Sequence, residues 1–107
     1  MAIEGFSEEE VNVIGECLTA AVEGPFFPDW EFPLLFGLER AEVAAVMRAW
    51  PNVRVNDCDV DLAINNAIGN LLYYPHGEEL GDFVSASPER LLAVLQKWKA
   101  ARASSRP

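Results

Sequence analysis

His76 is the chain's one histidine, set between Pro75 and Gly77 with Glu78 and Glu79 close behind. An imidazole beside carboxylates is the usual material of a general base or a metal ligand. A histidine in a Gly- and Pro-flanked turn also bonds locally for structural reasons, and nothing else in the sequence completes a site around it. There is no Gly-x-Ser-x-Gly elbow and no phosphate-binding P-loop. Cys17 and Cys58 do not form a Cys-x-x-Cys pair, and a single histidine cannot complete a Cys/His zinc set. Asp57, Asp59 and Asp61 fall on alternate positions, as the first ligands of a calcium loop do. However, Leu62 stands where that loop needs its glycine, and Ile68 where it needs its bidentate glutamate. These acids fit better as the cap of a following helix. No catalytic residue, metal or cofactor is expected.

Asn65, Asn66 and Asn70 carry a different signal, because all three fall inside a helical pattern where asparagine is a mediocre former. Asn66 and Asn70 are four apart and share a face, with Gly69 between them. A side-chain amide offers two donors and an acceptor, so it can satisfy backbone running past the helix. Two readings stay open. In one, Asn66 and Asn70 clamp a neighbouring irregular segment while Gly69 lets it approach closely. In the other, Asn66, Asn70 and His76 belong to a polar-ligand site beneath an aromatic lid.

The backbone in greatest need of partners is Gly24–Leu38, GPFFPDWEFPLLFGL. It holds five of the chain's eleven aromatic residues and three of its seven prolines. That proline density breaks regular helix, and that much aromatic surface is not left in water without cause. Phe26, Phe27, Phe32, Leu35 and Phe36 read most simply as core. Trp30 is flanked by Asp29 and Glu31, and reads as a half-exposed anchor with an acidic rim, the pattern of a binding hot spot.

The elements that must hold these residues are helical. Ser7 and Glu10 form a capping box for a helix over 7–23, with Val11, Ile14, Leu18, Ala21 and Val22 as its apolar stripe. Turns and a short helical piece near Pro33–Phe36 follow. A second main helix spans 39–50, its stripe being Val43, Val46, Met47 and Trp50, and Val53–Val55 is briefly extended. A third helix, capped by Asp57 or Asp59, continues to Tyr74. It carries Val60, Ile64, Ala67, Ile68 and Leu71 on one face and the asparagines nearly opposite, which places it centrally. Residues 76–81 read as loop, and Phe83–Val84 as a short extended piece. Ser87 and Pro88 start a fourth helix, with Leu91, Leu92, Leu95 and Trp98 along it. The expected fold is all-α: a small four-helix domain with the aromatic and proline-rich segment packed on the third helix. The 107 residues predict one domain, 1–107, fraying over 103–107.

A net charge of −9 argues against binding a nucleic-acid backbone. Residues 1–38 carry eight acids and no Lys or Arg, whereas residues 90–107 carry five basic residues and no acid. An acidic front half suits a basic protein partner, and it also serves solubility. No stretch approaches the roughly 20 apolar residues of a membrane span. The chain opens without a secretory pattern, so a cytoplasmic location with reduced thiols is expected.

The run PFFPDWEFPLLFGL, followed by Trp50-Pro51 and then LAINNAIGNLLYYPHG, resembles a group of small bacterial proteins of no assigned function. The likeness covers roughly residues 7–100. It implies a single small helical domain and a bacterial source, and it carries no activity to transfer. A similarity of size and acidity alone extends to the immunity proteins that neutralise bacterial toxins. Three functions follow as expectations: a small acidic protein-binding module of inhibitor or immunity type, a self-associating structural domain, or a small polar-ligand binder using Asn66, Asn70 and His76.

Overall fold

Ser7 begins the first helix by reciprocal bonding. Its Oγ accepts from the Glu10 amide at 3.1 Å, and Glu10 Oε1 accepts from the Ser7 amide at 2.8 Å. In the computed structural model, which describes residues 3, 5–54, 56–73 and 80–104, this box opens α1 (Glu8–Glu23). The chain continues as α2 (Phe32–Phe36), α3 (Arg40–Ala49), α4 (Cys58–Tyr73), a 3-10 turn over Leu80–Asp82, and α5 (Pro88–Ser104). The fold is all-α, with no strand among the described residues. The expected count of four helices becomes five, because residues 32–36 wind into a helix of their own. It closes on Gly37, whose φ of 70° is left-handed and natural only for a residue without Cβ. Val53 and Arg54 join no ladder, and Val55 lies outside the described residues, as do Tyr74 to Glu79 and the last three residues of the tail.

The other caps are local chemistry of the same kind. Asp57 Oδ1 accepts from the Asp59 amide at 2.8 Å and so caps α4. Ser87 Oγ accepts from the Arg90 amide at 3.2 Å with Pro88 in the first helical position of α5. The apolar stripe of α4 is buried, as is that of α1 apart from Val22, which is half-buried. On α5 the inward residues are Leu91, Val94, Leu95 and Trp98, and Leu92 is only half-buried. Helix α4 packs against α1, α2, α3 and α5, and a contiguous apolar core runs through all of them.

Two indoles fasten the far side of this core. Trp98 is fully buried, and its Nε1 donates to Asp61 Oδ1 at 2.8 Å. Trp50 donates Nε1 to Val11 O at 2.9 Å, lying so close to α1 that a Cβ on Gly15 would sit 3.1 Å from its ring. Gly15 is the residue that admits this approach.

The segregation of charge along the chain is partly absorbed by topology. Helices α1 and α5 are neighbours, so acids from one meet bases from the other. Glu9 pairs with Arg90, and Glu10 pairs with Lys97 at 2.7 Å. The Lys97 ammonium, followed by the Ser7 amide, holds the Glu10 carboxyl below its ordinary value. A carboxyl depressed in the folded state stabilises the fold above its ordinary pKa and loses that contribution as pH falls through the folded value. Glu10→Gln keeps an oxygen for the Ser7 amide and discards the charge. It is expected to be about 0.5–1 kcal/mol less stable than the parent at neutral pH. That gap closes on acidification, which urea unfolding in steps down to about pH 2 will read.

Both cysteines are free. Burial among the side chains of the core, and secondarily the charge of Glu16, pushes the Cys17 thiol up to about 12, whereas Cys58 is exposed at the start of α4. A thiol-alkylating reagent is therefore expected to modify Cys58 alone in the folded protein and Cys17 only after denaturation, giving one adduct and then two by intact mass. Equal reactivity of both thiols in the native protein would contradict the burial of this face of α1.

Candidate functional site

The segment between α1 and α3 cannot satisfy its own backbone, and three side chains from outside it do so. Asn66 Nδ2 donates to Phe36 O at 2.8 Å, and Asn70 Nδ2 donates to Leu35 O at 3.0 Å. Both acceptors are carbonyl oxygens, so the amide nitrogens must face them. Asn65 is spent elsewhere, on Asp61 O at 3.0 Å and Asp61 Oδ1 at 2.7 Å.

The third side chain is Arg40. Its Nη1 donates to Ala21 O at 3.2 Å and Val22 O at 2.8 Å, its Nη2 to Phe27 O at 2.7 Å, and its Nε to Asp29 Oδ1 at 3.0 Å. The guanidinium also lies 4.3 Å from the centroid of the Phe32 ring. The sense of this arrangement is electrostatic. The last turn of α1 contains no basic residue of its own, and its final carbonyls are the negative end of a helix dipole. Arg40 stands at the opposite, positive end of α3, where a cation is disfavoured. By reaching across to α1 it escapes that position and serves the carbonyls that need it. The planar fork is suited to several oxygens at once. Arg40 does not stand out in the sequence, although it is the first basic residue of the chain and follows the stretch with the greatest need of donors.

Inside the segment the phenylalanines pack on one another. Phe32 and Phe36 are stacked with centroids 4.2 Å apart, and Phe27 meets Phe36 edge-on at 5.5 Å. Outside it, two large apolar side chains face solvent: Trp30 is 74% exposed and Leu34 is 81% exposed. Bonds from the Phe32 amide to Pro28 O (3.1 Å) and from the Leu35 amide to Glu31 O (3.0 Å) carry helical winding through this stretch. Residues four apart in such winding share a face, and Trp30 and Leu34, both exposed, are four apart across the start of α2. Asp29 is exposed and its carboxylate is engaged by Arg40, so the acidic rim is partly neutralised from within. Glu31 is half-buried, and Glu23 and Glu39 are exposed on the flanking helix ends. His76 lies outside the described residues.

A second feature opens on the asparagine side. A cleft of about 570 Å³ lies between α4 and α5, with Asn65, Asn66, Gly69 and Asn70 on one wall and Lys99 and Arg102 on the other. Gly69 is expected to admit a close neighbour. Among the described residues it has none, since a Cβ there would meet nothing within 4 Å. Its missing side chain leaves space in the cleft instead. Among the described residues, no group of three or more His, Cys, Asp or Glu side chains is placed to hold a metal ion, and no helix is long and apolar enough to cross a membrane.

No family model matches the chain, and neither the curated proteins nor the solved structures searched contain a match.

Proposed function

We propose that this chain is a small protein-binding module of the inhibitor or immunity type, whose Trp30–Leu34 edge engages a basic surface on a partner protein. The observation that carries this reading is the pairing of exposure with fixation. Trp30 and Leu34 are 74% and 81% exposed on a segment held by Arg40, Asn66 and Asn70. Anchors that are ordered before binding lose little entropy when they dock. An indole ringed by polar groups is the usual hot spot of such contacts. In this reading the four longer helices are scaffold, the 24–38 segment is the display element, and Asn66 and Asn70 are its clamp. The partner is basic because Asp29 and Glu31 flank Trp30 in the chain while Arg40, the nearest cation in the sequence, is turned inward to carbonyls and Asp29. Two free thiols, one of them exposed, suit a reducing cytoplasm.

The test is a photoreactive residue introduced at position 34 in the producing cells, with the same residue at the exposed Gln96 of α5 as control. The reading expects one basic polypeptide joined at 34 and absent at 96. Trp30→Ala then weakens that complex by about 2 kcal/mol or more, roughly thirtyfold in Kd, without loss of folding stability. A cross-link to a second copy of the chain would replace this reading with self-association. Equal labelling at both positions would overturn it.

A further inference from the structure

The α4–α5 cleft carries a separate inference, independent of the Trp30 edge. Its two walls differ in chemistry. The α4 wall is rich in acceptors. It holds Asn66 and Asn70, whose nitrogens are committed to Phe36 O and Leu35 O, beside Asp61, whose Oδ1 already accepts from Asn65 and Trp98. That commitment leaves the Oδ1 atoms of both amides without a donor among the described residues. The α5 wall is cationic. Lys99 has no ion-pair partner among the described residues, and the Arg102 guanidinium is braced 4.9 Å above the Trp98 ring. Asn65 adds a further sign of an unfilled site. Both of its bonds run from Nδ2 to oxygen atoms, so its orientation is fixed, and its Oδ1 is buried without a donor among the described residues. A buried acceptor left unpaired is unfavourable, and a donor entering the cleft supplies the missing bond after a small shift of the wall.

The geometry points to a binding site for a small zwitterion of amino-acid to dipeptide size. The carboxylate lies against Lys99, and the ammonium group faces the Asn66 and Asn70 amide oxygens of α4. The volume, about 570 Å³, falls within the range of small-molecule sites. Gly69 provides the room, since no described residue occupies the place of its Cβ.

The experiment is titration of the isotope-labelled protein with the common L-amino acids and simple dipeptides, followed by the side-chain amide signals of Asn65, Asn66 and Asn70. Matched amines and matched carboxylates serve as controls. The expected result is a saturable shift with at least one zwitterion and a response to either half alone weaker by about tenfold or more, the loss of one charge-assisted contact. The free amino acids and the dipeptides form separate arms, which fix the size of the ligand. Lys99→Gln lowers the affinity by about tenfold. Gly69→Leu fills the cleft and abolishes the shift while leaving the helix at least as stable, since Leu is the better helix former. No saturable shift with any member of the panel, or a response undiminished in Gly69→Leu, overturns the proposal. An amine or a carboxylate that binds as well as the zwitterion overturns the assigned class.

Discussion

Arg40→Ala is expected to cost about 2–4 kcal/mol of stability, since it strips donors from part-buried carbonyls that cannot all be rehydrated in place. The acceptors are Ala21 O, Val22 O and Phe27 O, and the ion pair to Asp29 and the contact with the Phe32 ring are lost with them. The figure stays below the sum of these contacts because the side chain is 26% exposed and water replaces part of what it gives. Arg40→Lys is expected to recover less than half of the loss, because an ammonium cannot reproduce the planar fork that meets several oxygens together. Urea unfolding reads both values. A loss below about 0.5 kcal/mol for Arg40→Ala, the level of an ordinary surface change, would mean that the segment is held without it.

Trp98→Ala is expected to cost about 3–5 kcal/mol, the range for removing a large buried aromatic side chain. Trp98 is fully buried, meets Phe6 and Trp50 at centroid distances of 5.9 and 6.4 Å, and donates to Asp61. A domain of this size has about 5–15 kcal/mol in total, so this variant sits near the edge of folding and circular dichroism will show whether it crosses. Trp98→Phe keeps most of the packing and leaves Asp61 with one donor fewer. Its expected cost is smaller, about 1–2 kcal/mol, which separates the value of the ring from that of its hydrogen bond.

What could be read from the sequence was whatever is decided locally. Ser7 with Glu10, and Ser87 with Pro88, announce helix starts because a cap and its partner lie within one turn. The stripe Val60, Ile64, Ala67, Ile68 and Leu71 announces the buried face of α4 because helical period survives in the chain. Asn66 and Asn70 were legible as a pair for the same reason, being four apart beside a stretch poor in its own hydrogen bonds. The rest depended on how the elements meet. Arg40 serves carbonyls 13 to 19 residues back in the chain, and no periodicity links it to them. The acids of α1 looked like an unpaired front half until α5 came to lie alongside with Arg90 and Lys97. Gly69 reads as a point of close approach, whereas the close approach is at Gly15 beneath Trp50, and Gly69 meets no neighbour among the described residues. A glycine in a helix marks a missing side chain, and only the neighbouring elements determine whether something else enters the gap.

The claim on which the functional reading rests is that Trp30 and Leu34 are held in place before any partner arrives. Nitrogen-15 relaxation of the backbone amides of residues 29–37, Pro33 excepted, and of the Trp30 indole measures this directly. The account expects order parameters near those of the long helices, about 0.85, in the parent protein and a clear fall in Arg40→Ala. Values below about 0.6 in the parent itself would contradict it, because the edge would then be a mobile loop rather than a prepared contact surface.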